Sequence, residues 1–299
     1  MVGEKQQRID SYLVEKGYAR SRAHACRLIR ENRVLAQSCK VTKPSQKIAP
    51  TTSVHVIGDT SDDYVGRGAY KLAGAIDHLR SQGHLINIRH KICLDAGAST
   101  GGFTDVLLRE GARHVYAVDV GSGQLVDKLA NNPRVTSMEH VNVRYLDTDS
   151  FERCPEIVVG DLSFISLTLV IKALTQASCS QAVLLLLVKP QFECDNVGSS
   201  GVVRDPSMHM AALRRVTTTA LENGLSLLAA VASPLAGKEG NREFFLLFHK
   251  KARIQSTQQA RVGKSEALPH TVELLLETCL HGTATPYSTR QEKTGRTGT

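Results

Sequence analysis

The sequence predicts an α/β fold in two parts. A small α/β unit at the head precedes a mainly parallel sheet with helices on both faces and one reversed strand near its edge. Three observations predict this. Strand-like and helix-like stretches alternate from about residue 68 to 249, the pattern of repeated strand–helix–strand units. The last two strand-like stretches are joined only by a glycine-rich turn at 237–241, a separation that favours a hairpin, so the final strand runs antiparallel to its neighbour. The length, 299 residues, suits about two domains at roughly 150 residues each.

In the head, residues 8–16 carry Ile9, Tyr12 and Leu13 at helical spacing. Ser21 is an N-cap residue for a second helix through 32, with Ala25, Leu28 and Ile29 on one stripe. Arg27, Arg30 and Arg33 fall largely on the other side, toward solvent or phosphates. Short β-like pieces at 34–35 and 54–57 are separated by Lys40, Lys43 and Lys47, and the polar stretch 58–63 reads as a linker. A leading helix is expected over 68–80. Strands are expected at 92–95, 114–120, 135–138, 157–161, 183–188, 225–232 and 243–249, with helices at 102–110, 124–130, 167–177 and 207–223. Beyond 251 the signal fades: 252–268 is polar, 271–280 suits one helix, and 283–299 is expected to be disordered. The expected domains are therefore 1–58, a linker at 59–66, 67–251, and a tail at 252–299.

A composition of 41% hydrophobic and 22% charged residues excludes a mostly disordered chain, a collagen and a small disulfide scaffold. Residues 1–7 are polar with no apolar stretch after them, so no secretory leader is expected. The longest apolar run, 182–188, is far short of the roughly 20 residues that span a bilayer. The seven cysteines are odd in number, scattered and without a CxxC pair, and the histidines lack metal-ligand spacing. Both features fit a reducing cytoplasm and no metal. The net charge of +8 is uneven: residues 1–60 hold 11 Lys/Arg against 5 Asp/Glu, and 250–299 hold 8 against 4. A basic head and tail around a nearly neutral middle point to a polyanion such as nucleic acid, or to a solvated basic face.

The segment 94–103 follows a strand and opens a helix. Its glycines let the backbone turn sharply and let a ligand approach free N–H groups at the helix start. Such a loop serves dinucleotides and S-adenosylmethionine alike. Here the spacing is G-x-x-x-G-G, and Asp95 stands just before the first glycine, where a carboxylate suits a cationic ligand better than a pyrophosphate. Asp119, at the end of the next strand, is placed to accept hydrogen bonds from ribose hydroxyls in either cofactor class. Four further polar residues lie at strand ends or helix starts: Lys71, Asp161, Lys189 and Glu243. Open α/β sheets bind ligands outside the carboxyl ends of their strands. Taken alone, Lys189 also fits a surface lysine whose stem covers apolar neighbours.

Together RGAYKL (67–72), LDAGASTGGFT (94–104), VGDLSFISL (159–167), VKPQFE (188–193) with GVVRDP after it, and SPL…GNREFFL resemble the TlyA (hemolysin A) family. The resemblance covers about residues 8–250. It implies a ribosomal RNA 2′-O-methyltransferase with an FtsJ-type, seven-stranded Rossmann-like domain that uses S-adenosylmethionine. The head, with Arg20-Ser21-Arg22 inside RIDSYLVEKGYARSRAHACRLI, is similar to an RNA-binding domain of ribosomal proteins and pseudouridine synthases. By motif, Lys71, Asp161, Lys189 and Glu243 match the family's catalytic tetrad. Asp95, Gly97, Ala98, Ser99, Gly101, Gly102, Phe103 and Asp119 match its cofactor site. Two departures stand out: Gly66 replaces an expected serine before Arg67, and the tail after about 251 has no match.

The resemblance implies that Lys189 acts as general base on a cytidine ribose hydroxyl of 16S or 23S rRNA within ribosomal subunits. Lys189 has to be neutral for this, and a nearby cation, Lys71, favours that form. Asp161 would orient Lys189, and Glu243 would position Lys71 and the ribose. Arg8, Arg20, Ser21, Arg22, Arg27, Lys40 and Lys43 would hold rRNA through its phosphates. No protein partner is implied, and a monomer is expected. Two other functions fit the sequence less well. Membrane lysis is disfavoured by the lack of a spanning segment and by Glu273 and Glu277 on the best amphipathic stretch. A non-catalytic RNA-binding assembly protein is disfavoured by the complete tetrad. The loop spacing also argues against a dehydrogenase, and Asp161-Leu162-Ser163-Phe164 lacks the Pro-Pro arrangement of amino-methylating enzymes.

Overall fold

The computed structural model describes residues 6–19, 21–31, 33–37, 39–56, 64–195, 197–198, 201–237, 239–251 and 268–281. They fall into two units that divide between Asp63 and Tyr64.

In the first unit, β1 (Gln7–Arg8) leads into α1 (Ile9–Glu15) and α2 (Arg22–Arg30). Then come β2 (Val34–Ala36), β3 (Cys39–Lys40), β4 (Lys47–Ile48) and β5 (Val54–Val56). Strands β3, β2 and β5 form an antiparallel sheet, and β1 pairs with β4. Ser21 caps α2 as its residue type predicts, its Oγ accepting from the His24 N–H at 3.2 Å. Ile9, Leu13, Ala25, Leu28, Ile29 and Val34 close the core, so the apolar stripes face inward as expected.

The second unit runs α3 (Arg67–Ser81), β6 (Ile92–Ala96), α4 (Gly102–Arg109), β7 (His114–Val118), α5 (Asp127–Ala130), β8 (Val135–Met138) and β9 (Ile157–Gly160). It continues with α6 (Ile171–Gln176), β10 (Val183–Val188), α7 (Pro190–Glu193), α8 (Pro206–Glu222), β11 (Leu225–Ala232), β12 (Phe244–Lys250) and α9 (His270–His281). The seven strands take the order β11-β12-β10-β9-β6-β7-β8. Strand β12 slots between β10 and β11 and runs antiparallel to both, so the short turn makes the hairpin that the sequence predicts. The central strands are buried on both faces. Leu184, Leu186 and Val188 of β10 enter the core under α6, α8 and α9, while Leu185 and Leu187 enter the one under α3 and α4.

Three expectations need correction. Tyr64–Gly66, assigned to the linker, belong to the second unit: the Val65 N–H donates to Asp105 Oδ2 at 3.0 Å, and the Arg109 guanidinium lies 4.5 Å from the Tyr64 ring centre. The helix expected over 167–177 is instead a 3₁₀ turn, Leu167–Leu169, followed by the shorter α6, and α5 covers only Asp127–Ala130. In the tail, α9 forms where the sequence suits one helix and packs Leu276, Cys279 and Leu280 into the core; 252–267 and 282–299 lie outside the described residues, as does most of the expected linker.

At the end of β6, Asp95 is fully buried and accepts from Thr104 Oγ1 at 2.6 Å, which ties α4 to the strand before it. Burial pushes its carboxyl up to about 7, against the lowering effect of the Thr104 hydroxyl. A carboxyl that binds its proton more tightly when folded makes stability fall as pH rises from about 4 through about 7. Thermal melts should therefore show the unaltered protein losing several degrees between pH 5 and pH 8, while Asp95→Asn stays nearly flat over that range. Parallel pH profiles would contradict this account of Asp95.

Candidate active site

The loop after β6 is shaped by its glycines. Gly97 has φ +83°, and a Cβ there would lie 2.9 Å from the Asp161 carbonyl oxygen, so only glycine lets the loop pass the end of β9 so closely. At Gly102 a Cβ would come 2.9 Å from the Ala69 N, so its absence lets the first turn of α4 close on α3. Gly101 is the N-cap of α4, and Gly66 leaves room for Thr100, whose Oγ1 would be 3.0 Å from a Cβ there. The Ala98 N–H donates to the Val118 carbonyl at 3.0 Å, which fastens the loop to the end of β7.

Asp119 stands just past β7. Its Oδ2 accepts from the Ser99 N–H and its Oδ1 from the Gly121 N–H, each at 2.8 Å. The carboxylate is thus fixed by backbone donors yet keeps spare lone pairs. A shallow cleft beside it is lined by Ala98, Ser99, Gln124, Ser137 and Glu139, with Ser99 Oγ donating to Gln124 Oε1 at 3.1 Å. Of the eight expected cofactor residues, Ala98, Ser99 and Asp119 line this cleft; Gly97, Gly101 and Gly102 shape the loop without lining it, and Asp95 and Phe103 turn their side chains away. Asp95 is sealed beneath the loop rather than open to a cation. Phe103 points inward from the first turn of α4 and stacks on Phe245 at 6.0 Å between ring centres, in the core. Both hold the loop from below.

The four polar residues come together as two ion pairs at one edge of the sheet. Lys71 Nζ donates to Glu243 Oε2 at 2.6 Å, with both groups buried. Lys189 Nζ lies 2.6 Å from Asp161 Oδ1 without hydrogen-bond alignment, and donates to Ser163 Oγ at 2.7 Å. The register explains the gathering. Phe244 pairs with Val188, so Glu243 and Lys189 emerge side by side, and β9, which ends just before Asp161, is β10's other neighbour. Asp161 Oδ2 sits 3.6 Å from where a Cβ on Gly68 would be, one turn before Lys71. Arg67 Nη2 donates to the Ala236 carbonyl at 2.9 Å, joining the start of α3 to the turn that carries Glu243. A buried ion pair broken on one side costs about 3–5 kcal/mol, so each partner holds the other in place.

Residues that the motif reading did not single out complete the site. Glu193, buried at the end of α7, accepts from Ser166 Oγ at 2.5 Å and from the Leu167 N–H at 2.8 Å. It locks the segment after Asp161 to the segment after Lys189. Asn241, also buried, accepts from the Val203 N–H and donates to the Gly201 carbonyl, both at 2.9 Å, steadying the turn before Glu243. Between the two locked segments stands Phe164, 91% exposed, with a left-handed φ of +64° and its ring 5.3 Å from that of Phe192. An aromatic ring held in a disfavoured conformation and left in water is the available signal of a contact surface.

In the first unit, Arg8 and Arg22 converge on buried Asp10. Arg8 donates from Nε and Nη2 at 3.0 and 2.9 Å, and Arg22 from Nη2 at 3.0 Å. Arg8 holds the Asp10 carboxyl well below the usual carboxylate range. Arg22, Lys40 and Lys43 are exposed. Ser21 is engaged in the helix cap. Arg27 is half-buried beside Glu31, 3.7 Å away, because α2 turns it partly toward the protein. Arg20 lies outside the described residues.

Residues 64–250 match the FtsJ-like methyltransferase family, and residues 7–54 match the S4 domain. The 16S/23S rRNA (cytidine-2′-O)-methyltransferase TlyA of Mycobacterium tuberculosis is 43% identical over 244 residues, which cover 81% of this chain and 89% of that protein. Hemolysin A of Brachyspira hyodysenteriae is 36% identical across 81% of this chain and 99% of its own. The solved structure of a Streptococcus thermophilus protein given the name hemolysin superposes with a TM-score of 0.64 at 34% identity, covering 93% of this chain and 96% of that one. Among the described residues no helix is long and apolar enough to cross a membrane. The chain belongs to the TlyA family, in which an S4 domain precedes an FtsJ-like methyltransferase unit.

Proposed function

We propose that this protein transfers a methyl group to the 2′-hydroxyl of a cytidine ribose in ribosomal RNA, presented within a ribosomal subunit. The observation that carries the reading is the pair of lysine–carboxylate contacts at neighbouring strand ends beside the glycine loop. The loop fits S-adenosylmethionine: its tight course past the ends of β7 and β9 brings Ala98 and Ser99 beside a carboxylate at Asp119 that is fixed by backbone donors and keeps spare lone pairs. When bound, S-adenosylmethionine supplies a methyl group on a positively charged sulfur, already a strong electrophile.

The residues of this chain then have to hold a weakly acidic hydroxyl in line and take its proton. Lys189, once neutral, accepts the proton as the oxygen attacks. Ser163 and Asp161 fix its Nζ from two sides, which limits the orientations it can take. Lys71, anchored by Glu243, presents a second ammonium toward the negative charge that grows on the oxygen. Phe164 offers an exposed face on which a base pulled out of its stack can rest, so that its ribose meets Lys189. Arg8, Arg22, Lys40 and Lys43 of the S4 unit would grip the phosphates and give salt-dependent binding.

Incubation with labelled S-adenosylmethionine and separate 30S or 50S subunits tests the reading, with label expected in rRNA. Lys189→Ala should lose methyl transfer by at least 100-fold while still binding S-adenosylmethionine in calorimetry, and near-normal turnover would remove Lys189 from the mechanism. Phe164→Ala removes no buried surface and should leave the thermal midpoint unchanged. Loss of base stacking, worth about 1–3 kcal/mol, should lower transfer to subunits about tenfold or more. Unchanged transfer in that variant would take Phe164 out of the substrate site.

A further inference from the structure

At the opposite end of the two strands that carry Asp161 and Lys189, two cysteines face each other. Cys154 lies just before β9, and Cys179 lies in the segment leading into β10, 25 positions later. The Cys179 N–H donates to the Pro155 carbonyl at 2.8 Å, and Cys179 Sγ sits 3.0 Å from the Cys154 carbonyl oxygen. Those contacts hold the two backbones side by side and bring the Cys179 sulfur against the Cys154 residue itself. Both cysteines are partly open to solvent, whereas Cys93 and Cys279 are buried. The methyl-transfer mechanism uses neither thiol.

We propose that Cys154 and Cys179 form a dithiol site that takes a low-molecular-weight disulfide as its reactant and closes into an intramolecular disulfide. In the proposed exchange Cys154 attacks the reagent, and Cys179, whose thiol burial pushes up, resolves the mixed disulfide. The sulfur of Cys154 bonds to one reagent sulfur, and the other leaves as a thiol. Cys179 then attacks the Cys154 sulfur, its proton leaving with the second reagent thiol. Two protein thiols are oxidised by two electrons, and one reagent disulfide is reduced to two thiols. The bond pins together the segments that enter β9 and β10, whose far ends carry the Asp161–Lys189 pair. It adds a covalent clamp without touching that pair.

Full-length protein is incubated with excess oxidised glutathione, alkylated and digested without reduction. The expected product is a peptide pair joined between Cys154 and Cys179, lighter by two hydrogens, with two of the seven thiols lost before Cys93 or Cys279 reacts. The oxidised protein should melt several degrees higher, and the gain should vanish with dithiothreitol. Cys179→Ser should instead leave one glutathione on Cys154, and Cys39→Ser should keep the cross-link. Glutathione attached separately to Cys154 and Cys179, either cysteine joined to a different partner, or both unmodified after Cys39 has reacted would each overturn the proposal.

Discussion

A charged side chain is tolerated at the end of an apolar sheet only where an opposite charge or hydrogen-bond donors meet it, and the catalytic unit is built around that constraint. Its central strands are nearly pure hydrocarbon, and at one edge of them two ammonium groups and two carboxylates leave the core together. Pairing is what makes this tolerable. It also makes the arrangement exact in space, because each lysine is fixed by a carboxylate from a different part of the chain. Lys71 and Glu243 are 172 positions apart, and Lys189 bonds to Ser163 across 26. The topology supplies the rest: inserting β12 between β10 and β11 turns its start, and so Glu243, toward the same edge as the ends of β9 and β10.

Much of this was legible in the sequence. The alternation of strands and helices, the reversed last strand and the Ser21 cap follow from residue patterns that report directly on backbone geometry, whereas the grouping of Lys71, Asp161, Lys189 and Glu243 comes from the family resemblance. What was not legible depends on side chains from distant segments. Asp95 and Phe103 lie in the cofactor motif, yet the first turn of α4 buries both, because a motif records positions and not the direction a side chain takes. Tyr64–Gly66 look like linker but are fastened to α4 by Asp105 and Arg109, contacts 40 positions distant in the case of Val65. Glu193 and Asn241 read as ordinary polar residues until their burial and their backbone partners are seen.

The two units divide the work in different physical terms. In the S4 unit Arg8 and Arg22 sit at the surface, with Asp10 beneath them setting the direction of guanidinium groups that would otherwise sample many rotamers. On the proposed function, such a surface would read charge and shape. The methyltransferase unit instead carries its paired charges at neighbouring strand ends, with the exposed ring of Phe164 three residues after Asp161. A substrate gripped broadly by its phosphates and tested at one nucleotide suits that division.

On the proposed function, the paired lysines and carboxylates receive a sugar oxygen and not a ring nitrogen or carbon. The most direct measurement is where the transferred label resides after alkaline hydrolysis of the modified rRNA. A methylated 2′-oxygen cannot attack the neighbouring phosphate, so the account predicts label in alkali-stable dinucleotides. Label recovered in single nucleotides, on the base, would contradict it.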